Sequence, residues 1–441
     1  MLEEEIKAEI TKEAVYRKIL WRLLPFLVLC DMFSVIDRFN IGFAKLQFMK
    51  DLGLNDAIVG MAAGAFYVGF TIFEIPSTLM MQRYGIRSTL LRIMGLWGAA
   101  TILLALASSR YEFYGLRFLL GVAEAGFLPS VMLYLTYWVP NRYGGRVTSL
   151  FLLSLPVSGV ISGPLAGVIL RDLSGNFGLH GWQWLFLLEG VPSVLLGIVA
   201  YFVLSNRPDE ARWLNAAEKR IIAHDLQRDA VVSGHTGLAS FKQLLRHAET
   251  YQLACIYFWF YTILNALAIW PPTLFKSVGV HDVGEIGLRS GAMSLAAVAG
   301  MVIIGFSSDR SGERRWHIIA CGLVSGLVFM ALPLGAHSPN ITTLLLAIGS
   351  VSIYAFFGLF WTIPRTKFAP KVAAGGIALI SSFGAFGGVL SPVFVGWMKL
   401  WTGSFYGALG LLGACFCVSM VLVFFCVPSI RARAALPQPA G

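Results

Sequence analysis

Seven ionisable side chains stand inside long apolar stretches of the chain. Asp31, Asp37 and Arg38 lie within 20–43, Glu74 within 57–80, Arg117 and Glu124 within 112–138, and Glu189 within 183–204. A charge at the centre of a membrane helix costs about 2.5–3.5 kcal/mol on insertion scales, so each needs a chemical reason. Arg117 and Glu124 are two helical turns apart, which returns them to nearly one face, separated by about 10 Å along the axis. Asp37 and Arg38 are expected at a similar depth on the first helix. Two guanidiniums facing a water-filled cavity suit a carboxylate, because each presents a planar fork of donors. The acids beside them suit proton transfer. The expectation is that protonating Glu124 releases Arg117 for substrate. The competing reading, ion pairs that lock helices together, is the one expected for Asp31, Glu74 and Glu189. Glu74 precedes Ile75-Pro76, where a broken helix leaves backbone groups to satisfy.

Other chemistries lack their residues. No Ser, His or Cys stands at a spacing that suggests a nucleophile–base pair. The six cysteines (Cys30, Cys255, Cys321, Cys415, Cys417 and Cys426) fall in or beside apolar runs, with no ligand spacing and no expected disulfide. Neither an enzyme nor a metal or other cofactor is expected.

The elements that position these residues follow from composition. Of the 441 residues 57% are hydrophobic and 13% charged, against about 25% charged in ordinary soluble domains. Twelve apolar runs occur, at roughly 20–43, 57–80, 88–108, 112–138, 147–170, 183–204, 251–275, 289–307, 316–336, 341–363, 373–398 and 405–427. Each is long enough to cross a hydrocarbon core about 30 Å thick as a helix, and none alternates as a barrel strand does. The fold class is therefore an all-α membrane protein with twelve transmembrane helices. The segment from Met1 to Arg22 is charged and has no small-residue cleavage site, so the first run is expected to be retained as a helix. The net charge of +10 reads as topology rather than nucleic-acid binding. With both termini on one side, 25 of the 34 Lys and Arg fall on that side and seven on the other. The positive-inside rule then places both termini in the cytoplasm.

The chain is expected to divide into a cytoplasmic segment 1–19, a bundle 20–204, a cytoplasmic linker 205–250, a bundle 251–427 and a cytoplasmic tail 428–441. Asn215 and Glu218 have capping-box spacing, with an amphipathic helix expected from Ala216 to Gln227 along the cytoplasmic surface. The halves echo each other. Arg310, Gly312 and Arg314 after one run match Arg83, Gly85 and Arg87 after another, and repeated halves are how many transporters are built. The loop Asp309-Arg310-Ser-Gly312-Glu-Arg314-Arg315 either latches cytoplasmic ends by charge pairing or fixes topology. The stripe Gly159, Gly163-Pro164 and Gly167 is expected to allow close helix packing, with a hinge or gate as the other reading. Tyr67, Phe70, Tyr354 and Trp361 are expected to face lipid or to pack, and the rings from Tyr251 to Tyr261 to sit at a membrane interface.

These motifs resemble a known family. The two linker motifs look like the signature of the major facilitator superfamily. Arg117-Phe-Leu-Leu-Gly121-Val-Ala-Glu124-Ala-Gly126-Phe127-Leu-Pro129, with Asp37-Arg38-Phe-Asn40, Phe73-Glu74-Ile-Pro76-Ser77 and Arg207-Pro208, is similar to its anion:cation symporter family. The branch with tartrate, phthalate and hydroxyphenylacetate transporters is the nearest in pattern. The resemblance implies the major facilitator fold, two six-helix bundles around a midplane site, and proton-driven uptake of a small organic anion across the inner membrane by a monomer embedded in lipid. It places substrate at Arg38, Arg117 and Trp361 and protons at Asp37 and Glu124. Phe70 and Ser381 stand where related sugar-acid carriers have a tyrosine and an asparagine, and Ala385 follows Gly384 where Gly-Asn is common. These changes make the site less polar and tilt it towards an aromatic or sparsely hydroxylated acid. Gly163-Pro164 also resembles part of an exporter motif, but Leu150 and Val168 replace its other glycines. A ligand sensor that moves nothing is the third reading.

Overall fold

The computed structural model describes residues 2–232, 248–361, 363 and 370–427. The tail 428–441 and the linker residues 233–247 lie outside them. The described residues form helices and no strand. In chain order these are α1 (Leu2–Asp51), α2 (Asp56–Leu104), α3 (Arg110–Glu124), α4 (Phe127–Thr136), α5 (Asn141–Leu152), α6 (Ser154–Asp172), α7 (Gly181–Val203) and α8 (Ala216–Val232). They continue as α9 (Ala248–Ile269), α10 (Pro271–Ser277), α11 (Val283–Ser311), α12 (Arg315–Ala331), α13 (Pro339–Phe360), α14 (Pro370–Thr402) and α15 (Tyr406–Cys426).

Eleven stretches are long and apolar enough to cross a membrane, and one of them, Asp56–Leu104, spans 49 residues. It contains two of the apolar runs, joined across a kink at Gly85, whose φ of 79° and ψ of 169° break the helix. Its first limb packs on α3 and α14 and its second on α7, so the two limbs act as separate spans and the total is twelve. Gly312, the repeat partner of Gly85, also has a positive φ, 66°. The two glycines share a positive φ, which L side chains resist, but not one turn: ψ is 169° at Gly85 and −1° at Gly312.

Other runs are broken rather than joined. The run 112–138 becomes α3 and α4, separated at Gly126 with φ 82°. The run 147–170 divides into α5 and α6. The run 251–275 ends α9 at Ile269 and restarts as α10 on Pro271-Pro272, where the missing N–H groups cost least at a helix start.

The two halves meet most closely at one end. A Cβ added at Gly163 of α6 would stand 2.6 Å from the Gly287 carbonyl oxygen and 2.9 Å from the Gly291 amide nitrogen of α11. The backbones touch, so the Gly159–Gly167 stripe is a helix-packing seam between the halves. At the same end Gly42 of α1 abuts Ile269, and Gly60 of α2 abuts Pro392 of α14. There the Lys45 ammonium lies 3.7 Å from the centre of the Trp270 ring.

The linker helix α8 is anchored on the N-terminal extension of α1. Lys12 pairs with Asp225 at 2.9 Å and Lys18 with Glu218 at 2.8 Å, while the Tyr16 hydroxyl donates to Asp225 at 3.0 Å. The expected capping box is present: the Glu218 amide donates to the Asn215 side chain at 2.8 Å, and the Asn215 amide to Glu218 at 2.9 Å. The Lys18 ammonium beside Glu218 holds that carboxyl below the ordinary range. Burial raises the Asp225 carboxyl, but hydrogen bonds from Lys12, Tyr16 and His224 outweigh it and leave the group below its ordinary value.

Candidate functional site

A cavity of about 90 Å³ opens between the halves. From the first half its wall takes Asp31 and Arg38 of α1, Tyr67, Phe70 and Glu74 of α2, and Arg117 of α3. From the second it takes Tyr257, Tyr261 and Asn265 of α9, Tyr354 of α13, and Ser381 and Ala385 of α14. Every charged side chain of this wall, among the described residues, comes from the first half. The second half supplies three tyrosine rings with their hydroxyls, the Asn265 amide and the Ser381 hydroxyl.

Arg38 is the centre of the polar wall. Its Nε donates to Glu124 Oε1 at 2.6 Å, and its Nη2 pairs with the same oxygen. The Ser34 hydroxyl, one turn before Arg38, donates to that oxygen at 2.5 Å. The guanidinium also lies 5.4 Å from the centre of the Phe70 ring. Glu124 is fully buried behind the cavity surface, and its Oε2 has no hydrogen-bond partner. α3 ends at Glu124 and Gly126 turns the chain away, so the carboxyl sits at a break rather than in mid-helix.

This geometry corrects one expectation. Glu124 holds Arg38, not Arg117. Two turns of α3 separate Arg117 from Glu124 by about 10 Å, too far for contact, and α1 brings Arg38 into the gap. Arg117 makes a long bond to Asn40 Oδ1 at 3.4 Å, lies over the rings of Phe113 and Phe186, and leaves its Nε without a hydrogen bond.

Asp37 makes no salt bridge with Arg38 among the described residues. Its Oδ1 accepts from Thr101 at 2.8 Å and from Asn40 at 3.3 Å, and its Oδ2 has no partner. Asn40 also donates to Glu189, and Ser154 donates to Asp31. Asp31, Glu74 and Glu189 therefore make no salt bridge among the described residues, contrary to the expectation of interhelical ion pairs.

The aromatic expectations also change. Tyr67, Phe70 and Tyr354 line the cavity, as do Tyr257 and Tyr261 from the cluster assigned to an interface. The Tyr67 hydroxyl donates to Asn265 across the halves. Trp361 does not line the cavity; it packs edge-on against Tyr257, with centroids 5.0 Å apart. Ser34, Asn40, Thr101 and Asn265 were not singled out from sequence. Ser34 and Asn40 were findable, since they stand one turn from Arg38 and Asp37 on the same helix; Thr101 and Asn265 depend on contacts between helices. Gly163 and Pro164 lie in the seam rather than at the cavity. Asp309 and Arg314 pair with each other at 2.7 Å within their own loop, and Arg310 is exposed.

Twelve spans, two halves and a central cavity with buried charge define a membrane transporter fold. The sequence profile of the Major Facilitator Superfamily matches residues 27–392, and the chain belongs to that superfamily. It is a multi-pass membrane transporter of a small molecule, not an enzyme. It is 42% identical over 411 residues to the "Putative metabolite transport protein NicT" of Pseudomonas putida, covering 93% of this chain and 94% of that one. A "Putative tartrate transporter" of Agrobacterium vitis is 38% identical, covering 92% and 90%. A "Quinolone resistance transporter" of Acinetobacter baumannii is 35% identical, covering 93% and 94%.

Proposed function

We propose that the protein is a proton-coupled symporter that imports a small organic anion across the inner membrane by alternating access. The observation that carries this reading is the Arg38–Glu124 pair at the cavity wall, with Ser34 on the same carboxylate oxygen. A substrate carboxylate that takes Arg38 must displace Glu124, and a proton on Glu124 makes that displacement easy. Proton and substrate then favour one state, which is what couples them. Arg117, with donors to spare, is the second carboxylate ligand, and Asp37 is a second proton site behind it. The bundles 20–204 and 251–427 rock about this site, with the Gly163-Pro164 seam closing one end and the 305–315 loop at the other. The positive-inside count puts both termini in the cytoplasm. The aromatic lining supports a ring-bearing or sparsely hydroxylated acid over a sugar acid.

The test is thermal shift of the purified protein with organic acids, their amides and lipophilic cations at pH 5.5 and 7.5. Stabilisation by an acid, absent for its amide and lost in Arg117→Ala, supports the anion reading. Stabilisation by lipophilic cations alone refutes it. The name of the Acinetobacter relative favours a second reading, proton-driven export. Everted vesicles separate the two, because an exporter accumulates substrate in them when their lumen is acidified.

A further inference from the structure

Glu74 has no part in the coupling just described. It is 8% exposed, it lines the cavity, and its Oε2 has no hydrogen-bond partner. No salt bridge and no backbone donor reaches its carboxyl among the described residues, and α2 stays helical through Pro76, so the broken helix expected there does not occur and makes no demand on Glu74. Ser381, from the opposite half, stands within hydrogen-bonding reach, and Tyr257 and Tyr261 face the same space. A buried carboxyl with an idle oxygen in a ligand cavity lacks a donor.

Its position relative to Arg38 is fixed by α2. Phe70 and Glu74 are one turn apart, a climb of about 6 Å, and they share a face that looks into the cavity. The Phe70 ring lies against the Arg38 guanidinium. A ligand whose carboxylate sits on Arg38 and whose ring lies along Phe70 brings its far edge to Glu74. Only an acceptor is offered there by Glu74, and Ser381 from the second half completes the contact.

We propose that Glu74 is a specificity-determining residue that accepts a hydrogen bond from a hydroxyl or N–H group on the far side of the substrate ring. The acid carried is then one with a donor one ring away from its carboxylate. This rests on the organic-anion reading above. A substrate without the donor leaves the Glu74 carboxyl buried and unpaired, and that loss creates the selectivity.

The test is binding to full-length protein in detergent of two matched pairs, 4-hydroxybenzoate with benzoate and 4-hydroxyphenylacetate with phenylacetate. In the wild type the hydroxylated member of at least one pair binds about 10- to 100-fold more tightly, the range for a hydrogen bond to a charged group. In Glu74→Leu the ratio falls to about one, while affinity for the unsubstituted acid holds or rises. Glu74→Gln, which keeps one oxygen acceptor and the side-chain shape, gives an intermediate ratio and serves if the leucine variant does not fold. An unchanged ratio in the variants overturns the proposal. So does equal loss of pH-driven uptake for both members of a pair in Glu74→Gln, which would make Glu74 a proton carrier. A wild type that binds none of the four acids, yet binds lipophilic cations, instead overturns the anion reading beneath it.

Discussion

Replacing Glu124 with glutamine removes a charge from a site that keeps its shape. Two N–H groups of Arg38 converge on one Glu124 oxygen, and the Arg38 side chain is only 22% exposed while that of Glu124 is wholly buried. Breaking such a pair from one side costs about 3–5 kcal/mol. The partial exposure of Arg38 and the remaining amide oxygen place Glu124→Gln at the lower end, about 3 kcal/mol. That cost falls on the empty protein, because Arg38 is left without an anion. A substrate carboxylate restores one. Ligand binding at neutral pH is therefore expected to tighten by about 10- to 100-fold, equivalent to one hydrogen bond to a charged group, and to lose its dependence on pH. Titration calorimetry at pH 5.5 and 7.5 reads both effects. In proteoliposomes, uptake driven by a pH gradient is expected to stop, while exchange of labelled for unlabelled substrate continues. Binding that keeps the wild-type pH dependence, or gradient-driven uptake that persists, refutes the reasoning.

The two arginines separate by conservative substitution. Arg117→Lys is expected to weaken binding about equally at both pH values, and Arg38→Lys to flatten the pH dependence, because a lysine cannot present two fixed N–H groups to one oxygen; the same calorimetry checks both. Gly163→Val puts a side chain into the Gly287 and Gly291 backbone of α11, so spin-label distances across that end of the seam should lengthen by several ångströms and exchange should fall more than about tenfold, as backbone overlap cannot relax. Trp270→Leu strips the π face from the buried Lys45 ammonium, an interaction of about 2 kcal/mol when desolvated, and should open that end more than the double variant Lys45→Met/Trp270→Leu, as read by cysteine labelling. Finally, Glu218 and Asp225 are depressed in the docked state, so their contribution to holding α8 on α1 is present above the free carboxylate range and lost as pH falls through the docked values. Label distances between α1 and α8 should lengthen below about pH 4, and the double variant Glu218→Gln/Asp225→Asn should show that separation at neutral pH.

The membrane class was legible because apolar runs of span length leave one solvent that suits them. The buried charges were legible for the converse reason: Arg38, Arg117 and Glu124 have no inexpensive position in such a helix. Their pairing was not. The interval between Arg117 and Glu124 gives a shared face on α3, but which side chain reaches Glu124 depends on how α1 packs against α3, and no spacing within one helix encodes that. The aromatic residues were misplaced for a related reason. A ring near a helix end is equally at home among lipid headgroups, in a packed core or on a cavity wall, and only the facing helix decides. Gly85 shows the reverse case. It and its repeat partner Gly312 both adopt positive φ, a local property of the residue that a sequence echo can carry, although their ψ values differ.

The division of chemistry between the halves constrains how coupling works. Among the described residues, all the charged groups at the cavity wall belong to the first half, and the second half presents tyrosines, Asn265 and Ser381. On the symport reading proposed above, the Glu124 carboxylate and the substrate carboxylate therefore compete for one arginine, and a proton on Glu124 decides that competition without any movement of the halves. Movement enters when the ring of a bound acid meets Tyr257 and Tyr261, because only then does the second half gain contact area. An anion without a ring satisfies Arg38 but gives the second half little to close upon, whereas a ring without an anion leaves the Arg38–Glu124 pair intact. Productive closure needs both features in one molecule. On the symport reading, protonation then acts on the first half and closure on the second.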